Sequence, residues 1–200
     1  MFDATNYEKQ VATTLPVLLA QALKLLEPYQ QIQRKAVKDK QENPQVKIGK
    51  KDRFLQPFKG DPVPPLLKLK NLDNKIIDLS DMNGQVVLVN FWASWCPPCV
   101  HEMPSMQRLQ NMFKNKPFTI LGVNMAEDKE TINTFLKTKV SVDFPVLLDS
   151  DGTALKRWGV FAFPTSYVVD KKGHIRYALF GGLEWDTPDI IQKISSLLDE

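Results

Sequence analysis

Cysteine is nearly absent from this chain of 200 residues: Cys96 and Cys99 are the only two, and His101 and His174 are the only histidines. So small a number excludes a framework of structural disulfides within the chain. A closed zinc site takes four Cys or His ligands; beyond the two cysteines the chain offers only His101, within the same helix, and His174, so no metal is expected. A bridge between residues 96 and 99 would close a very short loop and constrain the unfolded chain little, which makes a purely structural disulfide a poor reading. Long hydrophobic runs are missing as well, with no apolar stretch of about 18 residues or more to suggest a membrane span. The formal net charge is only +3 and gives no support for nucleic-acid binding. The first ten residues carry Asp3, Glu8 and Lys9 instead of a positively charged n-region, and the apolar segment 15–20 is soon broken by Gln21 and Lys24. No secretory signal is therefore legible. Cysteine usage fits a cytoplasmic or an extracytoplasmic location equally.

What is present is concentrated around the two cysteines. An apolar, strand-like segment, Gln85–Val86–Val87–Leu88–Val89–Asn90–Phe91–Trp92, runs into Trp95–Cys96–Pro97–Pro98–Cys99. A helical pattern follows, with Met103, Met106, Leu109 and Phe113 at three- and four-residue spacing. A Cys-x-x-Cys that opens a helix after a buried strand is the context of thiol–disulfide chemistry. The first turn of a helix presents unpaired N–H groups and the positive end of the macrodipole, and both favour a thiolate. A cysteine placed there ionises below its free value of about 8.5. Pro97 and Pro98 suit the first turn, where their missing N–H groups would have no partner. Cys96 is accordingly assigned as the nucleophile and Cys99 as the thiol that resolves the mixed disulfide.

These residues resemble the thioredoxin superfamily, and within it the TlpA/ResA-like (DsbE-type) thiol-disulfide oxidoreductases. Asn90 stands where ordinary thioredoxins carry a buried aspartate, Glu102 matches the glutamate of the ResA-like branch, and a helix-and-strand unit is inserted between the halves of the fold. The resemblance covers residues 62 to 200. It implies an α/β, thioredoxin-like three-layer sandwich with an N-terminal β-hairpin and that helix-strand insertion. It also implies that Pro164 is a cis-proline lying against the cysteines, that the backbone of Phe163 pairs with extended substrate, and that Trp95 covers the motif and offers an apolar contact. The redox-active disulfide Cys96–Cys99 would act without a metal or organic cofactor. The implied task is reduction of disulfides in extracytoplasmic or periplasmic proteins, as in cytochrome c maturation or copper-site assembly, with electrons from a membrane thiol reductase. Glu102 would take the Cys99 proton or raise the thiol pKa values; its spacing alone leaves open an exposed glutamate at a helix start. Pro104 would be the helix-kinking proline of the superfamily.

Three regions are expected along the chain. Residues 1–40 form an N-terminal helical extension, amphipathic through Val11, Leu15, Leu18, Leu19, Ala22, Leu23 and Leu26; residues 41–61 form a linker or wrapping arm; residues 62–200 form the domain. Within the domain the pattern predicts a hairpin of Leu66–Leu69 with Ile76–Leu79 and a helical turn at Ser80–Met82. Strands are expected at Phe118–Asn124, Pro145–Asp149, after Pro164 and at Ile175–Phe180, and helices at Asp128–Val140, Thr153–Trp158 and from Thr187 on. The extension is also compatible with a homodimer, and hence with a disulfide isomerase or oxidant. A non-catalytic binding module is the other alternative, and the intact cysteine motif argues against it. A peroxidase of the peroxiredoxin type lacks its usual threonine, since Ala93 precedes Ser94.

Overall fold

In the computed structural model, residues 54–200 are described. The helical extension expected over residues 1–40, with the dimer contact assigned to it, and most of the arm expected over 41–61 lie outside the described residues.

The organising element is strand β4, Val86–Trp92, all seven residues of which are buried. A strand shielded on both faces reads as a continuous apolar run, which is what its sequence shows. Around it stand β1 (Gln56–Pro57), β2 (Lys68–Asn71), β3 (Ile76–Asp78), β5 (Phe118–Met125), β6 (Val146–Asp149), β7 (Thr165–Val169) and β8 (Ile175–Phe180), in the order β1-β8-β7-β4-β5-β6-β2-β3. β5 lies parallel to β4 and to β6, whereas β7 and β8 run antiparallel, so the sheet is mixed. The β2–β3 hairpin adds antiparallel to β6 at one edge, and a single 3₁₀ turn, Leu79–Met82, leads from it towards β4.

Alternation along the strands divides the core between two faces. Val86 and Leu88 of β4 pack with Phe118, Ile120 and Val168 beneath two helices, α1 (Pro97–Met112) and α4 (Pro188–Asp199), which contribute Met106, Leu109, Ile190, Ile194 and Leu197. Val87, Val89 and Phe91 face the other way, with Leu121, Val123, Tyr167 and the short helix α3 (Thr153–Arg157) with its neighbour Trp158. A third cluster at the end of β4 joins Trp92, Cys96, Cys99 and Met103 to Ile132 of helix α2 (Lys129–Thr138). This is the α/β, thioredoxin-like arrangement that the resemblance implied, with helices on both faces, the hairpin, and α2–β6 as the inserted unit. Gly122 of β5 marks a close approach: a Cβ there would lie 3.2 Å from both Phe144 and the Trp92 indole nitrogen.

The sheet extends further upstream than the sequence suggested. Residues 54–61, placed in the arm, carry β1, which pairs with β8 through Gln56↔Ala178 and Pro57↔Tyr177, and Leu55 is buried in the core. A two-residue strand containing proline has too little alternation to be read from sequence.

Leu109 and Met112 lie on the same helix, one fully buried and the other exposed. Leu109→Ala is expected to lower unfolding free energy by about 2–5 kcal/mol, and Met112→Ala to stay within about 0.5 kcal/mol, both measured by urea titration.

Candidate functional site

The chain leaves β4 at Trp92, turns through Ala93–Trp95 and enters α1 at Cys96, which is the residue capping the helix. Its sulfur accepts a hydrogen bond from the Cys99 N–H at 3.4 Å, so the cap that most helices take from a Ser, Thr, Asp or Asn oxygen comes here from the redox atom. Pro97 and Pro98 fill the first two helical positions. Cys96 and Cys99 are joined as a disulfide with Cα atoms 5.3 Å apart. Cys99 is fully enclosed and Cys96 is 4% exposed, so Cys96 is the sulfur nearer solvent.

Several of the expected site residues converge here. Trp95 is 62% exposed, and its ring meets that of Phe163 edge-on with centroids 5.9 Å apart. Phe163 also packs against the cluster that holds Trp92, Cys96 and Cys99. The Phe163–Pro164 peptide is cis, and the Pro164 carbonyl accepts from Gly181 N at 2.8 Å. Gly182 lies against the start of α1, where a Cβ would sit 3.3 Å from the Pro98 carbonyl oxygen. Among the described residues, no group of three or more His, Cys, Asp or Glu side chains is placed to hold a metal ion. His101 is exposed, with Nε2 3.7 Å from Glu184. Pro104 lies inside α1 and leaves the Val100 carbonyl without its usual partner.

Glu102, one turn beyond Cys99, is only 1% exposed, which excludes the surface glutamate that spacing had left open. Its Oε1 accepts from Asn90 Nδ2 at 2.8 Å; its Oε2 accepts from the Leu183 N–H at 3.1 Å and from Trp185 Nε1 at 3.0 Å. The other Asn90 amide hydrogen goes to Ser166 Oγ at 2.9 Å. Burial pushes the carboxyl up from its ordinary 4.5 to about 7, against the three donors, which favour the charged form; the neighbouring Glu184 adds to the rise. Asn90, at the position of the usual aspartate, thus serves as a neutral donor to the acid supplied by α1.

Trp185 and its loop were missed in the sequence reading. They reach Glu102 from 81 to 83 residues away, and no local pattern encodes such a contact. The loop is held on α1 by Ser105 Oγ, which accepts from Trp185 N at 3.0 Å, and by Arg108, which pairs with Asp186 at 2.5 Å. Between this loop and the first turns of α1 lies a cleft of about 310 Å³, lined by Pro98, His101, Glu102, Gly182, Leu183 and Glu184. Glu102 forms part of its wall while staying buried.

Known proteins are similar to this chain. Residues 60–178 match the AhpC/TSA family. The thiol-disulfide oxidoreductase ResA of Bacillus thuringiensis subsp. konkukian is 36% identical over 111 residues, which are 56% of this chain and 64% of that protein, so the match spans a little under two thirds of the relative's length. A crystal structure of a candidate thiol:disulfide interchange protein DsbE from Chlorobium tepidum is similar at a TM-score of 0.64 and 32% identity, over 72% of this chain and 99% of the other. The pneumococcal exposed lipoprotein thioredoxin Etrx1 of Streptococcus pneumoniae is similar at a TM-score of 0.55 and 27% identity, over 66% and 98%. More than half of this sequence falls within the family match, and the chain therefore belongs to the AhpC/TSA family of thioredoxin-like proteins, with homologues named ResA and DsbE.

Proposed function

We propose that this chain is a thiol-disulfide oxidoreductase that reduces disulfides of extracytoplasmic proteins. The observation that carries the reading is the Cys96–Cys99 disulfide at the first turn of α1 with the buried Glu102 one turn further on. Cytochrome c maturation or copper-site assembly supplies substrates of the right kind, and a membrane thiol reductase the electrons. The relatives named ResA and DsbE support the activity, and the similarity to an exposed lipoprotein supports the location.

In the reduced protein the Cys96 thiolate, favoured by the helix start, attacks one sulfur of a substrate disulfide. The other substrate sulfur leaves as a thiolate, and a mixed disulfide forms. Cys99 then gives its proton to Glu102 and attacks Cys96 Sγ. The second substrate thiolate leaves, and the Cys96–Cys99 disulfide remains with both electrons transferred to substrate. The Glu102 proton exits through the cleft beside His101. Trp95 and Phe163 form the apolar rim on which the substrate chain lies, and the Phe163 backbone, beside Pro164, pairs with that extended substrate, while Pro97 and Pro98 restrain the ring between the sulfurs.

The reduction potential, measured by equilibration with glutathione, tests the direction of transfer: a value near about −270 mV is expected, and a value near about −120 mV would identify an oxidant instead. Cys96→Ser is expected to abolish disulfide reduction, and Cys99→Ser to accumulate a mixed disulfide with substrate, read by mass spectrometry. Activity retained in Cys96→Ser would overturn the reading.

Glu102 predicts two pH effects. As a proton acceptor with a pKa of about 7 it is competent above that pH, so Glu102→Gln is expected to slow resolution of the mixed disulfide about tenfold or more at pH 8 and little at pH 6. The raised pKa also acts on stability. The unfolded chain releases this proton near pH 4.5 and the folded chain keeps it until about 7, so the contribution is full below pH 4.5, falls as pH rises to about 7, and is level above. The loss amounts to about 3 kcal/mol, and Glu102→Gln is expected to remove this slope in urea titrations across that range.

A further inference from the structure

The mechanism uses one carboxylate near the cysteines, and the structure holds a second on the opposite side of the motif. β5 ends at Met125, and Ala126 follows with φ +56°, a left-handed conformation rare for a residue with a Cβ. The Ala126 N–H is held by the Asp149 carbonyl at 3.1 Å. This turn brings Glu127, at the entrance to the inserted α2–β6 unit, to Ser94, two residues before Cys96. Glu127 Oε2 accepts from the Ser94 N–H and from Asn124 Nδ2, each at 2.7 Å, and Oε1 accepts from the Ser94 hydroxyl. Three donors therefore converge on one half-buried carboxylate, and two of them belong to the turn that delivers the nucleophile.

We propose that Glu127 is a positioning residue for Cys96: it clamps the Ala93–Trp95 turn and sets a negative charge beside the nucleophile that opposes the helix start and keeps the dithiol from becoming too easily ionised. The inference rests on the oxidoreductase reading given above. Its direction follows from electrostatics, because a like charge disfavours ionisation of a neighbouring thiol. A less acidic nucleophile is in turn a poorer leaving group from the Cys96–Cys99 disulfide and keeps the pair reducing. Other charged or titratable groups stand on the surrounding elements: Cys99, His101 and Glu102 on α1, Glu184 and Asp186 on the loop before α4, and Asp128, Lys129 and Glu130 at the start of α2. Among the described residues, Glu127 alone is hydrogen-bonded through its side chain to the turn that leads into Cys96.

The two halves of the role can be separated. Glu127→Gln keeps an oxygen for the Ser94 N–H and Asn124 and turns the other arm into a donor to the Ser94 hydroxyl oxygen, so the clamp survives without its charge. Ser94→Ala keeps the charge and removes one bond of the clamp. The experiment is iodoacetamide alkylation of Cys96 in the reduced full chain as a function of pH, read by mass on the peptide that carries it. In Glu127→Gln the midpoint is expected to fall by about half a unit or more, so that alkylation well below it runs about threefold faster. Glu127→Ala, the second charge-removing variant, moves it the same way, and Ser94→Ala leaves it at the wild-type value. An unchanged or raised midpoint in both Glu127 variants, or an equal fall in Ser94→Ala, would overturn the proposal. The readout needs no disulfide substrate, so a chain unable to reduce disulfides would leave it intact.

Discussion

Everything in this molecule depends on how the start of α1 is held against the end of β4. A helix terminus exposes N–H groups that must find partners, and here the first acceptor is the Cys96 sulfur itself. The same geometry leaves the Cys96 sulfur at the N-terminus of the helix, facing its first free N–H groups. That placement requires a fixed terminus, and fixing it requires a central strand that cannot move. β4 is buried on both faces and hydrogen-bonded to β5 on one side and β7 on the other, which gives it a central, fixed position in the sheet.

Two carboxylates then flank the motif from different parts of the fold. Glu102 belongs to α1, and its proton affinity is set by what closes over it: the amide of Asn90 from below and the Leu183–Trp185 loop from the side. Burial and hydrogen bonding oppose each other there, and burial wins, so the group changes charge near neutral pH instead of near 4.5. Glu127 comes from the turn between β5 and the inserted unit and remains half-buried, tied to Ser94 and Asn124. The hairpin and the insertion extend the sheet beyond β5, and the turn that leads into the insertion brings Glu127 to the turn before Cys96.

Much of this was legible in the sequence, for identifiable reasons. β4 announces itself as an unbroken apolar run, α1 by its prolines and its three- and four-residue spacing, and α4 by Thr187–Pro188 before Ile190, Ile194 and Leu197. Each is a local pattern that burial imposes on one continuous stretch. β1 escaped because two residues containing Pro57 carry no period, although Leu55 beside them is part of the core. Trp185 escaped because its partner is 83 residues distant, and Glu127 because a carboxylate before a helix looks like an ordinary surface residue until Ser94 is set beside it.

The sequence by itself determined the chemistry available: two cysteines, two residues apart, at a helix start after a buried strand, with a glutamate one turn on. Those features are local, and the physics that makes them work, helix termini and side-chain periodicity, acts within a few residues. Tertiary structure decided the state of the groups around that chemistry. Whether Glu102 is a solvated surface charge or a buried acid titrating near 7 depends on a loop that folds back from residues 181–186 and on a strand that places Asn90 beneath it. Desolvation and hydrogen bonding are properties of a closed environment, and only the folded chain provides one.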